Sequence, residues 1–297
     1  KAGKGFNLEA SGQFGKNVAA AVIEWSKQDG AANANIPYTP LGEGFWEPTP
    51  TGYAAANVPG WGNNKTILKE SSQIDPCPAP PAFSKVPGSP FYEMAKELYD
   101  VSLSLTGEQK AVANFWDDAP NGKYITAFGH WFNILKQVLE NRNINLAKAA
   151  EAYMRLGITM NDATIYTWQK KYSYHQLRPI TYIRNFMGHA GWESLISTPP
   201  HPEYLAAHAT ISASAAAALE LVLGKNYSFT DHSYDELGMQ PRSFPGFEAA
   251  GYEAGLSRLY GGIHFKPSIE AGNMQGKKIA GKIQAILKTQ VNPTNNL

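Results

Sequence analysis

From Pro90 onward, apolar residues recur at three- and four-residue spacing through most of the chain, and that period selects helices over strands. Stripes run through Tyr92–Ser104, Thr106–Asp117, Thr126–Glu140, Asn145–Tyr172, Ala207–Leu223, Phe247–Gly262 and Ile269–Leu287. Thr106 followed by Gln109 forms a capping-box signature at a helix start. Gly224 is placed to stop the helix that begins at Ala207. The run Ala215–Ala218 suits close helix packing. An earlier helix is expected from Leu8 to about Lys27, with Phe14, Val18, Ala21, Val22 and Trp25 on one face. No succession of alternating strands with hairpin turns is present. The expectation is an all-α fold of two or more antiparallel helical bundles.

Between Gly30 and Pro90 the helical period vanishes. Eleven of the chain's 20 prolines lie there, with Gly42, Gly44, Gly52, Gly60 and Gly62. Proline lacks a backbone donor and resists helix. A flexible linker is one reading, yet the same stretch carries Phe45, Trp46, Tyr53 and Trp61, more ring surface than disordered segments hold. It reads as an ordered, extended wrap that pins its aromatics to the helical body. The 297 residues are expected to form one helical domain, with the wrap at 30–90 and a functional core at 165–290.

Bulk charge excludes some functions. With 26 Lys+Arg against 25 Asp+Glu, the net charge is +1, too balanced for a strong field toward nucleic acid or anionic membrane. No apolar run reaches the roughly 18–20 residues that span a bilayer. Cys77 is the one cysteine, so neither an intrachain disulfide nor a multi-cysteine metal site is available. A chain that opens on Lys1 and not Met fits a processed or trimmed product, and whether a signal peptide once preceded it is not readable from this sequence.

Three segments carry the chemistry: Lys171-Tyr-Ser-Tyr-His-Gln-Leu-Arg178-Pro179, Pro199-Pro-His201-Pro-Glu-Tyr204-Leu-Ala206-Ala207-His208, and Ser257-Arg258-Leu-Tyr-Gly-Gly-Ile-His264. Singly, each cation reads as a surface charge and each histidine as a core residue. Jointly, two arginines and a lysine supply many donors for a tetrahedral oxyanion. The amides of Ala207 and His208 at a helix start would add the positive end of that helix. The two histidines His208 and His264 could then act from opposite sides, one as ligand or nucleophile and one as acid/base.

These segments resemble the vanadium-dependent haloperoxidases and the type 2 phosphatidic acid phosphatases, whose shared pattern is Lys-x6-Arg-Pro, Pro-Ser-Gly-His and Ser-Arg-x5-His. The first and third match in residue type and spacing; the second matches only at His208. The Trp46/Trp61 wrap, the Trp168–Lys171 helix, Arg178–Ile183 and Ser257–Ile263 resemble the bacterial haloperoxidase-like branch over most of the chain. The resemblance implies vanadate as cofactor, with phosphate able to occupy the same site. It implies His264 as the vanadium ligand, and Lys171, Arg178, Arg258 and the Ala206–Ala207 backbone around the oxygens. His208 would be the acid/base residue. The implied reaction is oxidation of a halide by hydrogen peroxide, passing halogen to a small organic acceptor. Nucleic acid is not an expected partner, a homo-oligomer is a possible assembly, and the resemblance implies export in bacteria.

The departures matter. Leu205-Ala206-Ala207 replaces Pro-Ser-Gly, so the serine donor is gone, a loss of about 1.5–3 kcal/mol if nothing replaces it. Ala207 would be strained if its position required positive φ. Where phosphatase relatives orient the final histidine with an Asp, this chain has Ser268, with Glu270 two further on; either of these, or a backbone carbonyl, could take the ring N–H. His201 stands where chloride-oxidising relatives have Phe and algal bromide-oxidising ones have His, which leans toward bromide or iodide. Trp168 is expected in the substrate pocket beside it, or simply in bundle packing. Glu203 and Tyr204 are expected to position the loop. His130-Trp131 could line a pocket or only pack. Asp117-Asp118 reads as a surface helix end, and Asp231-His232 with Asp235-Glu236 as a polar loop. Two alternatives stay open: a phosphatase with His264 as nucleophile, or an oxyanion-binding relative impaired at Ala206 and Ala207.

Overall fold

A computed structural model describes residues 7–119, 123–140 and 144–291; Lys1 lies outside them. The chain runs α1 (Leu8–Ser26), α2 (Pro90–Leu103), α3 (Gly107–Phe115), α4 (Ala127–Glu140), α5 (Leu146–Tyr174), α6 (Pro179–Phe186) and α7 (Ala207–Leu223). A short antiparallel hairpin of β1 (Phe229–Asp231) and β2 (Arg242–Phe244) follows, with Phe229 opposite Phe244. Two further helices, α8 (Phe247–Tyr260) and α9 (Lys266–Val291), close the described chain. The helical expectation holds; the hairpin and the eight-residue α6 lack enough repeats to show a period.

The capping box at Thr106 and Gln109 is formed in both directions. Gly224 ends α7 at φ 102°, with its amide donating to the Glu220 carbonyl. The centre of the fold is α7, buried along nearly its whole length and packed on α5, α8 and α9. Small residues allow the approach: a Cβ on Gly272 of α9 would lie 2.9 Å from both the Ala206 carbonyl oxygen and Thr210 Oγ1. This fixes how α9 lies against the start of α7. A large apolar cluster of Trp116, Trp131, Leu156, Leu219 and Phe247 fills one side, and a second of Phe91, Leu177, Tyr182 and Phe265 fills another.

The 30–90 segment is an ordered wrap. Trp46 is fully buried, and its amide donates to the His175 carbonyl at 2.6 Å. Trp61 is half-buried, while Phe45 and Tyr53, expected to be pinned to the helices, stay exposed, and Phe45 is held through its backbone by an isolated bridge to Gln176. The latch is polar: Asp162, buried within α5, accepts from the Ile67 amide at 2.8 Å, the Leu68 amide at 3.1 Å and Ser71 Oγ at 2.7 Å. Cys77, at the end of the wrap, is buried with its Sγ 3.2 Å from Tyr204 Oη, beside Tyr166 and Leu205. In contrast, α1 buries none of its residues. None of the described helices is long and apolar enough to cross a membrane.

Candidate active site

Each motif sits where an element ends. Lys171 lies in the last turn of α5, which His175 terminates in the left-handed region at φ 49°. Arg178 is the N-cap of α6, where Pro179 at the first helical position needs no amide partner. The loop from His201 to Ala206 leads into α7, and His208 is in its first turn. Arg258 occupies the last turn of α8. Gly262, at φ 78°, then makes the left-handed turn that carries the chain to His264.

These ends converge. Lys171 and Arg178 are fully buried, and Arg258 and His264 nearly so. Lys171 Nζ donates to the carbonyls of Pro202 at 2.8 Å and Glu203 at 2.9 Å. Arg178 donates through Nε to the His201 carbonyl at 2.8 Å, and through Nη1 to the Ile263 carbonyl at 2.8 Å and His264 Nε2 at 3.1 Å. Its Nη2 reaches His201 Nδ1 at 2.9 Å. Arg258 donates to Ser257 Oγ at 3.0 Å, to the Asp117 carbonyl at 3.3 Å and to the Trp116 carbonyl. The serine of the Ser-Arg pair therefore orients the arginine. The acceptors for all three cations are carbonyls, ring nitrogens and a hydroxyl, none of them a carboxylate.

Burial has electrostatic consequences. It pushes Lys171 well below the ordinary lysine range, with Arg178 adding to the effect. It also brings Arg178 and Arg258 down to about 10. The Glu203 carboxyl is pushed up to about 7 by burial, against the pull of Lys171 and Arg178. Desolvating charge costs several kcal/mol per ion, and a cation that finds only neutral acceptors has not recovered it. Cations this dry and this close are offset most directly by a bound anion.

Histidine tautomers follow from the contacts. His264 Nδ1 lies 2.8 Å from Glu203 Oε1, which also accepts from the Phe265 amide at 3.0 Å. Donation there leaves Nε2 with its lone pair, the form that accepts from Arg178 and can ligate a metal. Burial holds His264 far below the usual histidine range, with Arg178 and Lys171 reinforcing it. Neither Ser268 nor Glu270 takes this bond; Glu203 does, across 61 positions of sequence. His201 is held neutral by burial and by Lys171 and Arg178, and its ring centre lies 5.1 Å from that of Trp168. The expected pair is thus adjacent, with His201 also buttressing Arg178.

His208 faces the other way. Its Nε2 lies 3.1 Å from the Trp116 carbonyl and 3.2 Å from Asp118 Oδ2, while Nδ1 is buried without a partner. Asp118 is therefore no surface helix end; it is buried at φ 49°, a left-handed conformation that aspartate tolerates. His130 neither lines a pocket nor merely packs: it is fully buried between two carboxylates, 2.9 Å from Asp118 Oδ1 and 2.8 Å from Asp231 Oδ2. Trp131 does pack, donating to Ser212 Oγ at 2.9 Å. Of the presumed polar loop, His232 and Asp235 are exposed as expected, whereas Asp231 is buried.

Ala206 and Ala207 complete the rim. Ala206 is the N-cap of α7 at φ −65°, fully buried in the second apolar cluster, and provides no side-chain acceptor for the first-turn amides. Ala207 is regular helix with no positive φ, so its Cβ causes no backbone strain. The helix start keeps its positive end, without the hydroxyl.

Fold and site together define a helical protein with a dry cationic centre, one lone-pair histidine inside it and an uncapped helix N-terminus beside it. The family model of the VCPO second helical-bundle domain matches residues 151–293, which hold all three motif segments. A solved bacterial vanadium-dependent iodoperoxidase is similar at TM-score 0.83 and 35% identity, over 92% of this chain and 67% of that one. Holo and apo structures of bacterial vanadium-dependent chloroperoxidase, at 16% and 17% identity, share the fold with TM-scores of 0.68 and 0.65. Each covers 86% of this chain, which spans 65% and 67% of theirs. No curated protein sequence matches the chain. The chain belongs to the vanadium-dependent haloperoxidase superfamily.

The donor set fits vanadate: a neutral imidazole whose Nε2 lone pair, here accepting from Arg178, could turn to the metal, and three buried cations for the oxygens. His264 could hold the metal, and Lys171, Arg178, Arg258 and the Ala207 amide could hold the oxyanion.

Proposed function

We propose that the protein uses vanadate to oxidise a halide with hydrogen peroxide, with iodide or bromide favoured over chloride, and transfers the halogen to small organic acceptors. The observation that carries this reading is the set of buried cations without carboxylate partners around the lone-pair nitrogen of His264. Similarity to the iodoperoxidase and a histidine at position 201 support the halide preference.

Bound vanadate would supply a Lewis-acid centre that polarises peroxide. The chain's own residues do the rest. Glu203 holds the His264 ring with Nε2 presented as an acceptor. Lys171, Arg178 and Arg258 bind and orient anionic oxygens, and their burial strengthens each contact by excluding water. His208, neutral through burial and the nearby Arg258, keeps Nδ1 bare and able to take a proton from peroxide and return it. Trp168 and His201 form an aromatic wall on the Arg178 side, where a soft halide would find a polarisable face.

The test is to incubate the protein with orthovanadate and assay oxidation of iodide, bromide and chloride by peroxide, with a phosphate-ester assay in parallel. Expected is vanadate-dependent oxidation in the order iodide, bromide, then little chloride, abolished in Arg178→Ala. Phosphate release without peroxidase activity would replace this reading with the phosphatase. Vanadate binding with both activities silent would leave an oxyanion-binding protein.

A further inference from the structure

Behind His208 lies a line of buried polar groups that the proposed reaction does not use directly. Asp118 places Oδ2 3.2 Å from His208 Nε2 and Oδ1 2.9 Å from His130 Nδ1. Tyr234 Oη donates to the same Oδ1 at 2.7 Å. His130 then reaches Asp231 Oδ2 at 2.8 Å with its other nitrogen. The far oxygen of Asp231 is saturated by the Ser233 amide at 2.9 Å, by Ser233 Oγ and by Gln137 Nε2 at 3.2 Å. The Trp116 indole lies against the His130 ring with centroids 4.4 Å apart, so the ring cannot turn freely. Four elements contribute: α4, the α3–α4 connection, the β1 strand and the loop after it.

We propose that His130 and Asp231 are positioning residues that hold the Asp118 carboxylate charged and in place beside the Nε2–H of His208, which donates to the Trp116 carbonyl.

Geometry and charge balance support this assignment. A ring nitrogen within 2.9 Å of a carboxylate is best served as a donor, and His130 has a carboxylate at each nitrogen. The doubly protonated ring satisfies both, and the two carboxylates raise His130 to about 9 despite burial, which opposes it. Asp118 is correspondingly held low by His130. The group is thus two carboxylates and one imidazolium, with the Arg258 guanidinium facing the same loop. Neutral His130 would leave one buried carboxylate without compensation, the costly arrangement. His208 meets charges from three directions: Arg258 on α8, Asp118 on the connection, and His130 on α4. Of these, Asp118 favours its protonation, whereas Arg258 and His130 oppose it.

The inference rests on the acid/base role assigned to His208, so its test reads the ring itself. Histidine-ring nitrogen NMR on the isotopically labelled full chain, without vanadate, peroxide or halide, reports tautomer and titration midpoint. In the wild type, His208 should be the neutral Nε2–H form and His130 doubly protonated at neutral pH. In His130→Gln one opposing cation is lost, while Asp118 keeps the Tyr234 hydroxyl and Arg258 nearby. The His208 midpoint should rise while the Trp116 carbonyl keeps the proton on Nε2, and the matching limb of the kcat/KM pH profile in vanadate-loaded enzyme should move the same way. Asp231→Asn keeps an acceptor for His130, which Asp118 still holds protonated, and removes one negative charge, so the His208 midpoint should move the opposite way, falling slightly. It also serves if His130→Gln does not fold. An unchanged His208 midpoint in folded variants would overturn the proposal, even if activity falls. A wild type without peroxidase activity would overturn only the functional reading, because the ring measurement stands apart.

Discussion

Glu203 accepts from the His264 ring and the Phe265 amide with one oxygen, and its backbone carbonyl accepts from Lys171, so one residue ties the loop before α7 to two motif segments. Glu203→Ala should weaken orthovanadate binding about 10- to 100-fold, by analogy with partners of metal-bound histidines. Equilibrium dialysis would show it, and Glu203→Gln, which can still accept from the ring, should retain most of the affinity. At this scale the sequence was legible where chemistry is local. Lys171, Arg178, His208, Arg258 and His264 stand at motif spacing, and their cation and imidazole types already specify an anion. Glu203, Asp118, His130 and Asp231 were misread or underread because their partners are far away in sequence. Nothing in the spacing of Asp231 predicts a bond to His130 101 positions earlier.

The helices were readable because burial of one face imposes a period, and segments of a dozen or more residues repeat it often enough to detect. α6 and the β1–β2 hairpin are too short for that. Of the four rings expected to pin the wrap, Phe45 and Tyr53 stay exposed, and part of its attachment is the Asp162 carboxylate gripping two amides and a hydroxyl, a contact invisible to aromatic counting. The start of α7 holds a testable deficit. Ala206→Ser would place a hydroxyl at an N-cap that has no side-chain acceptor, within reach of the first-turn amides. It should stabilise the fold by about 1 kcal/mol in urea unfolding. If the same hydroxyl donates to the oxyanion, vanadate should bind roughly tenfold tighter. Unchanged affinity with raised stability would show that position 206 serves the helix alone.

For the whole molecule, a net charge of +1 conceals separate buried charges, and pH acts on them separately. His130 has a folded pKa of about 9 against an ordinary 6.5. Its contribution is therefore complete below pH 6.5 and lost as pH rises through 9. The full difference corresponds to about 3 kcal/mol at most. Urea midpoints measured from pH 6 to 10 should fall for the wild type across that window, and His130→Gln should show a shallower slope from a lower start. Cys77 has a further consequence at this scale. Under the proposed function the protein releases oxidised halogen and is its own first target, and sulfur is the softest target it carries. Its sole thiol sits behind the wrap against the Tyr204 hydroxyl, and Met94 and Met160 are buried as well, whereas Met154 and Met274 face solvent. Self-inflicted wear would thus begin at side chains the fold can lose and reach the thiol beside the active-site loop last.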